Sequence, residues 1–315
     1  MNETVILKNL SIKDGDNTTL VSKVSMTVEK GEIFGLVGES GSGKTLTAKS
    51  IINLLPDNLK LTADEIQTAG KDLLTITKNE RRAHIGNNVG YIPQNTVFYL
   101  HPMIKIKNQI GDGYIYHMKR SKSEALEKAS MLFNKVGFDN PKNILNFYPW
   151  QLSGGMRQRV NIAMALMNDP KLIIADEPTT ALDSTVQRQV MQLFEEINKD
   201  MGISILLISH DLGLVRHYSS SLAVMYAGQI VESGHTGEVF NNPKHPYTQL
   251  LNKIIPSLNI KKNELLPEIP GYVQDSGRDT ESCLFIKRCP HAMEICSKCA
   301  EEHESNGHYY KCNLK

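Results

Sequence analysis

Three short, predominantly apolar segments stand out along the chain, at residues 33–37, 172–175 and 204–208. Each has the length of a strand, and none is interrupted by a charged residue. Such runs predict strands that are buried in the middle of a sheet. The apolar pattern therefore indicates a sheet with a fully covered core.

Two further patterns predict strands of a different kind. Val24, Met26 and Val28 alternate with polar residues, which is typical of a strand with one buried face. Residues 222–225 and 229–232 are apolar-rich and lie on either side of an Ala-Gly pair. This arrangement predicts an antiparallel hairpin.

Between the strands, apolar residues recur three and four positions apart, which predicts amphipathic helices. The predicted helices cover residues 46–55, 121–133, 153–168 and 184–201. Ser123 is the predicted N-cap of the second helix, and Asp183 or Ser184 that of the fourth. Strands that alternate with helices indicate an α/β fold. Residues from about 95 to 165 are predicted to form an inserted helical subdomain.

Composition narrows the class of protein. Hydrophobic residues make up 40% of the chain, enough for a sizeable core, and 35 Lys and Arg balance 34 Asp and Glu. Such a balance gives no net basic field to attract nucleic acid. No apolar run approaches the roughly 18 residues of a membrane helix, and the first residues show no secretory signal pattern. We expect a cytoplasmic protein that contacts a membrane only through a partner.

The strand at residues 33–37 leads into Gly-Glu-Ser-Gly-Ser-Gly-Lys-Thr at residues 38–45, here called the phosphate-binding loop. It fits G-x-x-x-x-G-K-[ST] at every fixed position. Its glycines let backbone N–H groups approach phosphate oxygens, and the following helix directs its positive dipole end at the anion. An incidental glycine turn is the alternative, which the strand–loop–helix context disfavours. The predicted nucleotide contacts are Gly38, Ser40, Gly41, Gly43, Lys44 and Thr45, with the Thr45 hydroxyl as a ligand of Mg²⁺.

Asp176 and Glu177 follow the strand at residues 172–175, and His210 follows the strand at residues 204–208. In open α/β sheets, ligands bind at the carboxyl ends of the strands. Asp176 can hold Mg²⁺, and Glu177 can polarise a water for attack on a γ-phosphate. Two acids at a strand end could equally form a solvated turn, and a lone histidine is more often structural. The phosphate-binding loop favours the functional interpretation of all three.

Ser153, Gly154 and Gly155 open the third predicted helix. A serine and two glycines at a helix start leave N–H groups and a positive dipole end available to a phosphate. A simple glycine cap is the alternative. The sequence thus offers a second candidate phosphate contact.

In chain order, these motifs resemble those of an ATPase subunit of an ABC transporter. The phosphate-binding loop, Gln94, residues 152–155, Asp176 with Glu177, residues 181–183 and His210 resemble, in turn, Walker A, Q-loop, signature, Walker B, D-loop and H-loop. The resemblance covers roughly residues 1–240. More narrowly, Ser-Gly-Gly-Met-Arg-Gln-Arg and Ala-Asp-Glu-Pro-Thr-Thr-Ala-Leu-Asp look like the oligopeptide, dipeptide and nickel importer group. His-Pro-Tyr-Thr at residues 245–248 and Arg-Cys-Pro-His-Ala at residues 288–292 are similar to that group's C-terminal extension.

The resemblance implies a P-loop NTPase (RecA-like) core with an antiparallel β subdomain and an inserted helical subdomain. It places the nucleotide-binding domain at residues 1–240 and a cysteine-containing C-terminal extension at residues 241–315. It also implies roles for single residues. Glu177 would be the general base, His210 the γ-phosphate sensor, and Gln94, with Thr45 and Asp176, a contact of Mg²⁺ or its water.

The same resemblance implies partners. Two ATPase subunits, more often two different chains, would meet head to tail, so that Ser153, Gly154 and Gly155 of one cover the ATP of the other. Two transmembrane permease subunits would be driven by their closure, and an extracytoplasmic substrate-binding protein would deliver cargo. The chain would lie peripherally on the cytoplasmic face of the membrane. A non-transport ABC ATPase with a metal-binding tail is the alternative function, and peptide, nickel and metal chelate remain open as cargo.

Two departures from the family concern the nucleotide and the permease. The family places an aromatic residue near position 14 to stack on adenine, whereas this chain has Asp14 and no Phe, Tyr or Trp before Phe34. We therefore expect weaker discrimination between bases, because stacking contributes about 1 kcal/mol. After Gln94, residues 95–99 precede Leu-His-Pro where the family often has Asp-Pro, which leaves the permease-facing loop undefined.

All five cysteines lie beyond residue 282. Clustered thiols in a cytoplasmic protein suggest a metal more than disulfides. The family resemblance implies a [4Fe–4S] cluster. Zinc is the alternative metal, and cysteines that bind no metal are the structural alternative. Cys299 is an extra thiol. The candidate ligands are Cys283, Cys289, Cys296 and Cys312, with His291, His303 and His308 as alternatives for zinc.

Overall fold

The computed structural model describes residues 2–94, 99–254, 269–273, 282–298 and 300–314. The chain forms two compact units. The first unit comprises Met1–Val5, Val28–Glu32 and Gln67–Leu207, and the second comprises Ile6–Thr27, Ile33–Ile66 and Ile208–Lys315. Cys299 lies outside the described residues.

The strands in chain order are β1 (Glu3–Lys13), β2 (Thr19–Glu29), β3 (Ile33–Val37), β4 (Lys60–Thr62), β5 (Glu65–Thr68), β6 (Lys71–Asp72), β7 (Val89–Ile92), β8 (Leu172–Asp176), β9 (Ser204–Ser209), β10 (Ser221–Tyr226), β11 (Gln229–His235), β12 (Glu302–Ser305) and β13 (His308–Lys311).

The helices are α1 (Lys44–Ile51), α2 (Lys78–Asn88), α3 (Asp112–Met118), α4 (Lys122–Lys135), α5 (Pro141–Asn146), α6 (Gly154–Leu166), α7 (Ser184–Met201), α8 (Leu212–Tyr218), α9 (Thr236–Asn241) and α10 (Pro246–Ile254). Single 3₁₀ turns lie at Ile106–Asn108, Pro149–Gln151 and Glu294–Ser297.

In the first unit, β8 lies between β7 and β9. β7 and β8 are parallel, with Val89 opposite Leu172 and Ile92 opposite Ala175. Every residue of β8 and β9 is buried, as the apolar pattern predicts. Asp176 is the last residue of β8, and Glu177 follows it directly.

Three helices, α3, α4 and α5, lie between β7 and α6 in the sequence. Ala125, Ala129, Leu132 and Phe133 form the buried face of α4. The predicted N-cap of this helix, Ser123, is wrong. Ser121 caps α4, because its side chain accepts from the Glu124 N–H while Glu124 bonds back to the Ser121 N–H.

In the second unit, five strands follow the order β12-β13-β11-β10-β3. β10 runs parallel to β3 and forms the predicted hairpin with β11. β13 then pairs antiparallel with β11, and β12 with β13. β1 pairs antiparallel with β4 and lies beside β2. The predicted one-sided burial of β2 is confirmed.

The first predicted helix, residues 46–55, is wrong at both ends, because α1 spans Lys44–Ile51. It ends early because Asn53 adopts a left-handed backbone conformation, with φ 54°. The Asn53 and Leu54 N–H groups bond back to the carbonyls of Ser50 and Lys49, which closes the helix. Within the described ranges, no helix combines the length and apolar character that a bilayer crossing requires.

Candidate active site

The phosphate-binding loop of the second unit connects β3 to α1, in the predicted strand–loop–helix arrangement. Gly43 is the N-cap of α1, with φ 103°. The Lys44 ammonium donates to the carbonyl oxygens of Gly38 at 2.7 Å and Glu39 at 3.0 Å. The loop therefore curls around the lysine side chain, with the first N–H groups of α1 at its base.

Gly38 shows why the loop requires glycine. Its φ is +150°, and a Cβ here would lie 2.1 Å from the carbonyl oxygen of Met225. Gly41, at the exposed tip beside Ser40, has φ +82° and open space around it. Thr45 is half-buried in the first turn of α1. The predicted nucleotide contacts thus lie together in one loop.

Asp176, the last residue of β8, is 1% exposed. The Tyr91 hydroxyl, from neighbouring β7, donates to its Oδ2 at 3.2 Å. Burial raises the pKa of Tyr91, and the negative charge of Asp176 raises it further. The tyrosine therefore stays protonated and holds the carboxylate in place. Sequence reasoning missed Tyr91, and only the register of β7 on β8 reveals it.

Glu177, the next residue, has a left-handed backbone with φ 48°. Gln94 Nε2 donates to its Oε2 at 2.8 Å, and Thr180 Oγ1 donates to the same oxygen at 3.0 Å. A left-handed non-glycine residue costs about 1–3 kcal/mol, and such strain is enriched at functional sites. The structure thus brings Gln94, Asp176 and Glu177 together in the first unit, and it adds Thr180, which sequence reasoning missed.

Ser153 caps α6, since its side chain accepts from the Met156 N–H at 3.3 Å. The two following glycines pack closely on the segment after β8. A Cβ on Gly154 would lie 3.3 Å from Leu182, and one on Gly155 would lie 2.7 Å from Val186. Ser153 itself is exposed. The glycines therefore let α6 approach this segment while the cap hydroxyl faces solvent.

His210 is exposed and directly follows β9 in the second unit. The next residue, Asp211, caps α8 by accepting from the Leu214 N–H at 3.1 Å. A strand end followed at once by a capped helix fixes the backbone on both sides of the histidine.

Four cysteines of the C-terminal extension, together with His245 and His291, line one cavity, here called the cysteine cavity. Burial, together with the neighbouring thiols, raises the pKa of the Cys283 thiol to about 11. Burial likewise raises the pKa of Cys289 and Cys312. The cysteines that line it are Cys283, Cys289, Cys296 and Cys312, all with free thiols.

This donor set has the chemistry of an iron–sulfur or zinc site, but its arrangement does not fit one. Among the described residues, no group of three or more His, Cys, Asp or Glu side chains is placed to hold a metal ion. Two of the predicted alternative ligands have other partners. His303 bonds to the carbonyl oxygen of Cys312 at 3.0 Å, and His308 to the carboxylate of Glu232 at 2.7 Å.

Comparisons with known proteins agree with these motifs. The family model described as ABC transporter matches residues 21–180, and that described as oligopeptide/dipeptide transporter, C-terminal region, matches residues 231–296. The chain is 38% identical to the dipeptide transport ATP-binding protein DppD of Bacillus subtilis over 321 residues, 100% of this chain and 96% of that protein. It is 40% identical to DppD of Escherichia coli over 311 residues, 96% of this chain and 94% of that protein.

A solved structure with the same fold is the dimeric ATP-binding cassette MJ0796 in a post-hydrolysis state bound to ADP and Pi. It has a TM-score of 0.65 and 26% identity, and it covers 74% of this chain and 98% of that chain. The predicted fold class, an α/β P-loop NTPase core of the ABC ATPase type, is confirmed. From its motifs, its fold and its relatives, the chain belongs to the ABC transporter family, as an ATP-binding subunit of the oligopeptide/dipeptide group.

Proposed function

We propose that this chain hydrolyses ATP to power the import of peptides through a membrane transporter. The observation that carries the proposal is the pairing, in one chain, of a complete phosphate-binding loop with a buried acidic strand end. The names of the dipeptide transport relatives, which align over nearly the whole chain, support peptide as the cargo. The family has two ATPase subunits to each transporter, and a single chain supplies one of them.

In this proposal, the phosphate-binding loop holds the triphosphate. Backbone N–H groups of Gly38, Gly41 and Gly43 and the side chain of Ser40 contact its oxygens, and Lys44 neutralises the β- and γ-phosphates. Mg²⁺ would be held by Thr45, Asp176 and Gln94, and when bound it neutralises phosphate charge. Tyr91 supports this role of Asp176, because its hydroxyl fixes one carboxylate oxygen.

Glu177 is the proposed general base. Its carboxylate now accepts from Gln94 and Thr180. When Gln94 turns away, Oε2 gains room to accept a proton from the attacking water, while Thr180 keeps the carboxylate oriented. His210 then contacts the γ-phosphate. Ser153, Gly154 and Gly155 cover the ATP of a second, related but non-identical ATPase chain.

The proposed assembly further contains two permease subunits and, outside the membrane, a substrate-binding protein. The chain itself would lie on the cytoplasmic face as a peripheral subunit. Its exposed apolar side chains in the helical subdomain, including Met103 at 73% and Trp150 at 63% exposure, support a protein-binding surface there. The proposal includes no nucleic acid, in line with the net charge of +1.

Uptake in a strain that lacks this chain tests the cargo. Labelled di- and oligopeptides and radioactive nickel are measured side by side, with the gene restored as the control. Loss of peptide uptake alone is expected. Loss of nickel uptake alone would identify a metal importer, and unchanged uptake of both would favour the alternative, a non-transport ABC ATPase.

We also propose that the cysteine cavity takes up a metal, as a [4Fe–4S] cluster or as zinc. Four thiols on one cavity support this, in a metal-bound arrangement that differs from the one described here. Purification without oxygen, followed by iron, sulfide and zinc analysis, tests it. Metal in wild type and its loss in Cys289→Ser are expected, whereas metal-free wild type would leave the thiols as packing groups.

A further inference from the structure

Arg288, in the C-terminal extension, contacts the phosphate-binding loop across 249 residues of sequence. Its Nη1 donates to Oε2 of Glu39 at 2.8 Å, and its Nη2 donates to Oε1 at 2.9 Å. The arginine side chain is 3% exposed and that of the glutamate 31%. A two-pronged arginine–carboxylate contact is among the strongest polar interactions in proteins, and it fixes direction as well as distance.

Glu39 is held a second time through its backbone. Its N–H donates to the Tyr247 hydroxyl at 2.9 Å. Tyr247 belongs to α10, is fully buried, and packs against the rings of Tyr226 and Phe285. The extension therefore contacts Glu39 of the loop through both its side chain and its main chain.

Arg288 also makes contacts other than those with Glu39. Its Nε donates to the carbonyl oxygen of Pro270 at 2.7 Å, and Nη1 also reaches the Tyr226 hydroxyl at 3.4 Å. The guanidinium lies over the Tyr226 and Phe285 rings, 5.7 and 6.0 Å from their centroids. Arg288 is thus locked in place by its own surroundings, and its part is to hold Glu39 rather than a ligand.

The charge of Glu39 explains what this contact does. Its carboxylate is an anion in a loop whose chemistry is to bind an anion, and its carbonyl oxygen already accepts from Lys44. Without a cation beside it, this carboxylate would repel phosphate and compete with it for Lys44. The guanidinium, which is itself buried, cancels that charge, so the interaction is less screened than one between two fully exposed groups.

We propose that Arg288 and Tyr247 are positioning residues of the nucleotide site. Arg288 neutralises Glu39, and both residues hold the phosphate-binding loop in its binding shape. The inference rests on the proposed ATP-binding role of that loop. It makes nucleotide affinity depend on the C-terminal extension.

The test is nucleotide binding by the full-length chain, measured by titration with ATP and Mg²⁺. Arg288→Gln is expected to raise the Kd for ATP about tenfold. Adding Glu39→Gln to it removes the uncompensated charge and is expected to return the Kd to within about threefold of wild type. Tyr247→Phe, which keeps the ring and loses the hydroxyl, is also expected to weaken binding.

Lys311→Gln is the matched control, because Lys311 forms an ion pair with Glu302 within the extension and does not contact the loop. In the assembled transporter, Arg288→Gln is expected to raise KM for ATP and leave kcat unchanged. Melting temperatures show which variants are folded. Where Arg288→Gln does not fold, Arg288→Lys and Tyr247→Phe take its place.

A folded Arg288→Gln chain with wild-type affinity would overturn the inference. A loss of ATP affinity that adding Glu39→Gln does not recover would also overturn it. So would an equal loss of affinity in Lys311→Gln. Both results indicate general loosening of the extension. Failure of the underlying function looks different, because wild type itself would then bind no ATP and Lys44→Ala would change nothing.

Discussion

At the scale of single residues, Glu177 combines a left-handed backbone with a carboxylate that has two donors on one oxygen. Gln94 Nε2 and Thr180 Oγ1 both donate to its Oε2. Loss of the Gln94 contact would therefore leave Oε2 room to accept a proton from a water, while Thr180 still holds the carboxylate.

Replacing Glu177 with Gln tests this role. The amide keeps the size of the side chain and cannot take a proton, so we expect ATP binding to remain and turnover to fall at least about a hundredfold. ATPase rates of the assembled transporter measure it. Glu195→Gln, which removes a surface carboxylate paired with Lys199, is the control. Normal turnover in Glu177→Gln would remove the residue from the role of base.

Asp14 accounts for the missing aromatic residue in structural terms. Its Oδ1 accepts the N–H groups of Asp16 and Thr18, so the side chain builds the turn between β1 and β2. With no stacking from this position, we expect affinities for ATP and GTP within about fivefold of each other. Competition binding measures the ratio, with Asp14→Asn, which keeps the turn acceptor, as the control. A preference for ATP of a hundredfold would contradict the prediction.

The residues that sequence could predict are those fixed by a local pattern. Lys44 and Asp176 sit in motifs whose spacing is set by one strand and one turn. Tyr91 and Thr180 could not be predicted as the supports of Asp176 and Glu177, because strand register brings Tyr91 to Asp176 and a turn after β8 brings Thr180 to Glu177. Arg288 lies 249 residues from its partner Glu39, and no pattern in the sequence joins them.

At the scale of elements, the phosphate-binding loop depends on glycine to different degrees along its length. Gly38 passes against the backbone of β10, whereas Gly41 stands in open space. Both glycines have positive φ, so replacing either one with another residue strains the folded backbone. Only Gly38 adds a collision with a main-chain oxygen, which cannot move aside as a side chain can.

Paired alanine substitutions measure this difference. We expect Gly38→Ala to lower the free energy of unfolding by at least about 2 kcal/mol more than Gly41→Ala, because it adds overpacking to the same backbone strain. Urea unfolding of the two variants gives the values, and ATP binding is expected to be lost in Gly38→Ala. Equal losses of unfolding free energy in the two variants would mean that β10 moves to accommodate the added Cβ.

Elements with a strong apolar pattern were predicted well, and short polar ones were not. β3, β8 and β9 follow directly from apolar runs. In the hairpin of β12 and β13, β12 is mostly exposed and the half-buried β13 consists of one histidine, two tyrosines and a lysine, so no apolar periodicity marks it. The N-cap predicted for α4, Ser123, is wrong by two positions, because Ser121 is the cap and its reciprocal bonds with Glu124 hold it there.

At the scale of the whole molecule, the extension is tied to the rest of the second unit by buried polar contacts. The Glu232 carboxylate, fully buried, accepts from the N–H groups of Lys244 and His245 and contacts His308. Nearby, His245 Nδ1 accepts from the Tyr247 N–H at 3.0 Å. Buried groups that are satisfied only in one protonation state make stability depend on pH.

Burial lowers the pKa of His245 to about 3. Because the unfolded chain binds the proton more readily, this group contributes its full stability above pH 6.5 and loses it as pH falls towards 3. Between pH 7 and pH 5 the loss amounts to about 2 kcal/mol. Urea unfolding at the two pH values measures it.

His245→Asn keeps an acceptor for the Tyr247 N–H and cannot titrate, so we expect a smaller change between pH 7 and pH 5 than in wild type. His235→Asn, at an exposed position, is the control. An unchanged acid sensitivity in His245→Asn would assign it to other groups, and the buried His308 would be the next to test.

The contact between Arg288 and Glu39 also has a consequence for the order of synthesis. The ribosome synthesises the phosphate-binding loop long before it adds Arg288, because 249 residues separate the two partners. Until then, no guanidinium neutralises the carboxylate of Glu39 in the loop. A nascent chain, or a product of premature termination, therefore carries the full Walker A motif without the residue that neutralises Glu39. Such a chain is expected to bind nucleotide about tenfold more weakly than the complete protein does.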